Sequence, residues 1–263
     1  MAPNGTYTTQ LQAGLGMVAE TLELLRIWEP GMIPSRLADR AVKEGVFSRA
    51  TARRARNLAA EMFAPRYLAQ HGLAAGQLKY LTNHRASPET ISQLCYLYTA
   101  RAQQIFADFV TEVFWPRYHS GAASLSRKDA EAFIRQAMDA GRMHARWAES
   151  TVKRVSGYLI GCCADFGLVA AAAKNDRAIQ RFRIRSDTAI YLAYDLRFAG
   201  LDGKSLVHHA DWRLFGLDVQ EVVAVLRNAA NDGHLMIQSS GEIVDISRKY
   251  RTMKECLHAI AQG

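Results

Sequence analysis

The residues whose types and spacing could do chemistry are mostly cations. Arg49, Arg53 and Arg56 recur at i, i+4 and i+7, the spacing of one helical face, and Arg54 flanks them. They open the second of two short helical segments that meet at a tight turn near Gly45, between Ser35 and Arg56. In helix-turn-helix geometry the start of the second helix enters the major groove of duplex DNA, with basic groups against phosphates and base edges. The plainer reading of the same residues is a solvated helix face, because two short helices around a glycine also occur in proteins that never touch DNA. A second set lies in Arg181-Phe182-Arg183-Ile184-Arg185, where strand alternation puts three arginines on one side and two apolar side chains on the other. Lys153 and Arg154 stand on the preceding helical segment. A basic strand beside a basic helix would straddle a phosphate backbone and add salt-dependent affinity. An edge strand guarded by charge fits the same pattern equally well. A third group, including Arg227, Arg248, Lys249 and Arg251, surrounds a C-terminal hairpin and is diluted by Asp232, Glu242 and Asp245.

Catalytic constellations are missing. The sequence contains no GxxxxGK[ST], GxSxG, HExxH or GxGxxG motif. His208-His209-Ala210-Asp211 is the cluster with most ligand character, but adjacent histidines point away from each other on most backbones. Cys95, Cys162, Cys163 and Cys256 match no zinc spacing, and a few scattered thiols suit a reducing compartment. A non-enzymatic protein without metal or cofactor is therefore expected, and a cytoplasmic one, since the first residues lack a basic stretch followed by an apolar one. A metal-dependent nuclease would need clustered carboxylates that the sequence does not display. No paired Asn or Gln set stands out as a base reader, so weak sequence preference is expected.

Composition agrees. The chain has 263 residues, with 33 Lys and Arg against 25 Asp and Glu, a net charge of +8. A surplus of this sign favours polyanionic partners. Residues 157–173 are apolar apart from Asp165, which sits mid-run; a buried helix ending at Gly167 is expected rather than a membrane span.

The elements that must position these groups are mainly helical. Apolar residues at three- and four-residue steps predict a helix from Thr9 to Trp28, stopped by Glu29-Pro30-Gly31. Pro34-Ser35 opens a second helix, Gly45 ends it, and Ser48 is the expected cap of a third. Gly72 to Arg85 reads as a short helix, and Ser87-Pro88-Glu89 starts a long central strut to about Tyr118. Helices are also expected from Ser126 to Gly141, Ser150 to Phe166, Asp187 to Phe198, Val219 to Asn231 (capped by Asp218) and Thr252 to Ile260. Strand alternation over Gln180–Ser186 and a hairpin over His234–Ile246 confine β structure to the C-terminal third. No repeat with a period of 20–50 residues is evident. Twice, however, a helix ending at glycine leads into β structure, as in a winged helix. The expected fold is mainly α: a helical bundle with a helix-turn-helix-like N-terminal part (1–85), a central long-helix segment (86–145) and a winged-helix-like α+β C-terminal part (146–263).

Several segments together resemble the BrxA family, the small accessory proteins of BREX phage-defence systems. They are GMVAETLELLRIWEPGM, SRATARRARNL with FAPRYL, FADFVTEVFWPRY, RWAESTVKRVSGYLIGCCADFGL and DWRLFGLDVQEVVAVLRNAANDGHLMIQSSGEIVDI. They occur in family order and cover most of the chain; their order and number, not any catalytic motif, carry the resemblance. It implies a role in a bacterial system that blocks phage replication and methylates host DNA, with the chemistry in partner proteins that include a methyltransferase and an ATPase. It also implies a helical protein that binds double-stranded DNA alongside other BREX-type defence proteins. The competing expectation is an assembly adaptor whose basic faces dock acidic patches on partner subunits.

Overall fold

The computed structural model describes residues 7–9, 16–47, 51–171, 176–240 and 243–262. α1 (Val18–Ile27) follows Met17, whose backbone is left-handed at φ 45°. That residue stops the helix from extending back to the expected start at Thr9. Among residues 7–17 those described are not helical; they dock on the body instead. Tyr7 N–H donates to the Arg142 carbonyl (2.8 Å) and Gly16 N–H to Asp165 Oδ2 (2.8 Å).

α2 (Pro34–Lys43) begins on a proline and ends at Gly45, φ 60°, which the left-handed closing turn requires. Val46 N–H donates to the Ala41 carbonyl and Gly45 N–H to that of Val42, satisfying two of the helix's last acceptors. The segment from Glu44 to Thr51 separates α2 from α3 (Ala52–Asn57), so the connection is longer than the tight turn expected. Thr51 caps α3, its hydroxyl accepting from Arg54 N–H (3.2 Å). Ser48, the expected cap, lies outside the described residues.

α3 continues through a π-helical turn, Leu58–Phe63, into α4 (Ala64–Tyr67). α5 (Ala69–Asn83) contains a kink at Gln70, His71 and Gly72, all with positive φ. α6 (Pro88–Ala102) is capped by Ser87, whose hydroxyl accepts from Thr90 N–H (3.1 Å). The strut expected to run on to Tyr118 is broken at Gln103 (φ −130°, ψ 87°), and the chain resumes as α7 (Gln104–Phe109), a second π turn (Val110–Phe114) and α8 (Trp115–His119).

The two π turns share a device. Phe63-Ala64-Pro65-Arg66-Tyr67 and Phe114-Trp115-Pro116-Arg117-Tyr118 repeat the pattern Phe-x-Pro-Arg-Tyr, each beginning on the last residue of a π turn. A proline ring collides with the carbonyl four residues back in a regular α-helix. The wider π turn relieves that collision and lets the helix continue.

β1 (Ser124–Ser126) leads into α9 (Arg127–Asp139), whose start is a reciprocal capping box between Ser126 and Asp129. α10 (Glu149–Asp165) precedes β2 (Asp176–Ala178), which pairs antiparallel with β1, Leu125 opposite Arg177. β structure is thus not confined to the C-terminal third. The remaining elements are α11 (Ser186–Phe198), α12 (Gly203–Val207), α13 (Asp211–Leu214), α14 (Val219–Asn231), the antiparallel pair β3 (Leu235–Ser240) and β4 (Ile243–Arg248), and α15 (Met253–Gln262). The protein is mainly α-helical, and among the described residues no helix is long and apolar enough to cross a membrane.

The chain divides into two compact units: residues 1–76 with 98–182, and residues 77–97 with 183–263. The first has a core of aromatic side chains from α4 to α10, with Tyr67 against Phe63 and Tyr98, Phe109 against Phe133, and Phe106 against Phe166. Cys162 and Cys163 are fully buried there, and burial pushes the Cys162 thiol up to about 12. The second unit is built around α11, in which every residue from Thr188 to Tyr194 is buried. A helix enclosed on all sides can be apolar all round.

Gly72 marks a point of close approach in the first unit. Its φ is +79°, and a Cβ there would lie 2.6 Å from Cζ2 of Trp28. Gly72→Ala is expected to lower stability by about 1–3 kcal/mol from backbone strain, with the ring contact adding to it. A lowered Tm relative to an exposed control such as Gly121→Ala (also positive φ but with open space around it) would separate the ring contact from the backbone effect.

Candidate nucleic-acid interface

The cations predicted to bind DNA occupy three places. On α3, Arg53 and Arg56 are exposed, while Arg54 is half-buried with Nη2 3.7 Å from the Met17 sulfur. Arg56 Nε is 4.0 Å from Asp39 Oδ1, a solvent-exposed pair of small energetic weight. Arg49 lies outside the described residues. On α10, Lys153 and Arg154 are both exposed.

The third place is the segment from Arg181 to Arg185. It is extended but forms no ladder, so the expected strand is absent. The alternation survives: Arg181, Arg183 and Arg185 are exposed, Phe182 is buried against Trp115, and Ile184 is half-buried. The reason is a side chain standing in for a strand. The buried amide of Gln93, on α6, donates to the Arg183 carbonyl (2.7 Å) and accepts from Arg185 N–H (2.9 Å). These are the two bonds a neighbouring strand would make, so Arg183 and Arg185 are held facing outward without a sheet.

The chain's arginines differ in whether a carboxylate holds them. Arg40 bridges Glu29 and Glu44 at 2.6 Å each, Arg135 reaches Glu149 at 2.9 Å, and Arg142 reaches Glu112 at 2.8 Å. Arg53, Arg154, Arg181, Arg183 and Arg185 make no ion pair among the described residues. Charge is also uneven along the chain. Of the 33 Lys and Arg residues, 21 fall in the first unit, against 14 of the 25 acids.

The second unit adds a surface that sequence reasoning missed. α11, α12 with α13, and α14 are followed directly by the β3–β4 hairpin. α14 starts with a capping box: Asp218 accepts from Glu221 N–H (2.9 Å) and Glu221 from Asp218 N–H (2.8 Å). Its buried stripe is Val222, Leu226 and Ala229; Gln220, Ala224, Arg227, Asn228 and Asn231 form the exposed side. The i, i+4, i+7, i+8, i+11 spacing of those five was the available signal, hidden because only one of them is charged.

The hairpin is fixed to α11 by one hydroxyl. Tyr194 OH donates to the His234 carbonyl (2.8 Å) at the start of β3 and accepts from the N–H groups of Lys249 (2.9 Å) and Tyr250 (3.2 Å) just beyond β4. Burial raises the Tyr194 phenol above its ordinary value, keeping it protonated as the donor. Leu235 and Ile246 face inward, Arg248 covers the Phe198 ring, and Met236 is exposed.

Other candidates carry less. His208 Nδ1 lies 2.8 Å from the Lys204 carbonyl, and His209 Nδ1 lies 3.4 Å from Asp211 Oδ2, so the two rings are engaged separately. Among the described residues no three His, Cys, Asp or Glu side chains are placed to hold a metal ion.

These features define a mainly helical, basic protein of two compact units, the second a set of helices followed by a fixed hairpin. The chain belongs to the BrxA family, whose family model matches residues 5–195. No curated protein matches it. A solved structure of an uncharacterized protein from Magnetospirillum magneticum shares the fold, with a TM-score of 0.60 at 14% identity over 80% of this chain and 98% of that one.

Replacing Tyr194 by Phe removes the partner of one carbonyl and two N–H groups while leaving the ring. The expected cost is about 1–3 kcal/mol. Hydrogen exchange should show faster exchange at Lys249 and Tyr250, with α10 amides unchanged; uniform acceleration throughout the chain would contradict a local clasp.

Proposed function

We propose that this protein is a non-enzymatic, double-stranded-DNA-binding accessory protein of a BREX-type phage-defence system. Membership of the BrxA family supports the defence role and association with other defence proteins. The observation that carries DNA binding is the exposure of Arg53, Arg154, Arg181, Arg183 and Arg185, without an ion pair among the described residues, in a chain of net charge +8. An exposed guanidinium without a carboxylate partner can neutralise a phosphate without breaking an existing bond. Arg49, Arg54, Arg56 and Lys153 extend the same groups. In this reading the helices and hairpin of the second unit form a winged helix, the α2–α3 region is helix-turn-helix-like, and the protein works in the cytoplasm with no membrane insertion.

An assembly adaptor without direct DNA contact is the second reading. The Arg56–Asp39 pair favours it for α3, because an already paired cation gains less from a phosphate.

A salt series of duplex binding by purified protein separates the two. Binding should weaken linearly on a log–log plot as counterions are released. Arg53→Ala/Arg54→Ala or Arg181→Ala/Arg183→Ala should make the slope shallower by about 0.9 for each phosphate that is no longer neutralised. Absence of binding at low salt by folded protein would sink the DNA reading and leave the adaptor.

A further inference from the structure

We infer that α14 is a base-reading helix that gives the protein a preference for particular sequences in the DNA major groove. The inference rests on the DNA-binding reading above and adds to it the surface that selects sequence. Its basis is the exposed face of α14, formed by Gln220, Ala224, Arg227, Asn228 and Asn231.

The composition of this face is unlike that of the other exposed helix faces. α9 is laced with ion pairs, Glu131 accepting from Arg135 (3.4 Å) and lying 3.8 Å from Arg127 Nε. α2 closes Arg40 onto Glu44 one turn away. Such charge pairs at i, i+4 suit a helix that meets only water. From Val222 to Asn231, α14 carries no acid at all. The two acids at its start are turned onto backbone N–H groups as its cap. The face left over offers the carboxamides of Gln220, Asn228 and Asn231. Carboxamides donate and accept together, matching the N6 amino group and N7 of adenine. Ala224, between Gln220 and Arg227, is small enough for close approach and presents a methyl group such as meets a thymine methyl.

The dimensions fit a groove. Eleven residue steps at about 1.5 Å each carry the face over roughly 16 Å, the length of about four to five base pairs. The helix is also rigidly set. Val222, Leu226 and Ala229 are buried, the cap fixes one end, and the Tyr194 clasp holds the hairpin that follows the other. A reading surface needs that fixity, since a displaced carboxamide loses both of its hydrogen bonds at once. The second unit carries 12 basic against 11 acidic residues, so it contributes little to net charge. A near-neutral unit with a polar face that carries a single charge is suited to choosing among duplexes and not to raising affinity for all of them.

The test is selection from a random-sequence duplex pool by the full chain at fixed salt, with and without Gln220→Ala/Asn228→Ala. Both positions are exposed and away from the buried stripe, so the variant should keep its fold, which a melting curve checks. Wild-type protein should enrich a motif and bind it about 10-fold or more over a scrambled duplex. The variant should lose most of that preference while its salt slope stays the same. DNA binding without an enriched motif, or with a motif the variant keeps, would overturn the assignment of α14 and leave the DNA-binding reading standing. Failure of the wild-type chain to retain any duplex would overturn both.

Discussion

The arrangement of the second unit depends on α11 being buried on all sides. A helix so enclosed cannot send its two buried tyrosine hydroxyls to water, so they find partners within the fold. Tyr191 meets this constraint by bonding the buried side chain of Gln77. Tyr194 meets it by bonding backbone at both ends of the hairpin. The same bonds that relieve α11 therefore place β3 and β4. Because only Gly233 and His234 separate the end of α14 at Asp232 from β3, they also limit where α14 can point. Trp212 follows the same rule, its indole N–H donating to the Leu206 carbonyl (2.9 Å) and locking α13 to α12.

The arginines of this chain do two jobs that their counts alone do not separate. One group is structural. Arg142 links Tyr7, Asp108 and Glu112, fastening the docked N-terminal residues to the first unit, and Arg117 meets the same Asp129 that caps α9. The other group is left facing solvent by backbone geometry: α3 turns Arg53 outward, and Gln93 turns out Arg183 and Arg185. A basic isoelectric point is then the sum of a paired set, which is electrostatically quiet, and an unpaired set, which is not.

Much of the architecture is legible in local signals. Ser87, Ser126 and Asp218 cap the helices that their sequence positions announce, and Gly45 and Gly233 end theirs, because these devices act within four residues. The apolar stripe of α9, Ala130, Phe133, Ile134 and Ala137, is buried as its spacing requires. What escapes a reading of the sequence depends on partners far along the chain. Residues 180–186 have the alternation of a strand, but the neighbour supplying the hydrogen bonds is a glutamine some ninety positions earlier in the sequence. The helix expected over 88–118 keeps its apolar spacing through Gln103 although the backbone does not, since a break that preserves burial leaves periodicity intact. The candidate site is half legible. Clustered arginines announce themselves by charge, whereas the mostly uncharged row on α14 acquires meaning only once its opposite side is known to be buried.

The paired Phe-x-Pro-Arg-Tyr devices have a consequence for how this chain tolerates change in length. A π turn holds one residue more than the α-helical turn it replaces. Deleting a single residue from Leu58–Phe63 or Val110–Phe114 would close the wide turn to regular winding and leave the side chains after it on nearly their present bearing, because the surplus residue is what the wide turn absorbs. Tyr67 would keep its place in the core and Arg117 its place beside Asp129. Each proline would regain the collision that the wide turn removes. At these two points the extra residue and the proline ring depend on each other, so the surplus length of each turn is a stricter requirement than the identity of most residues within it.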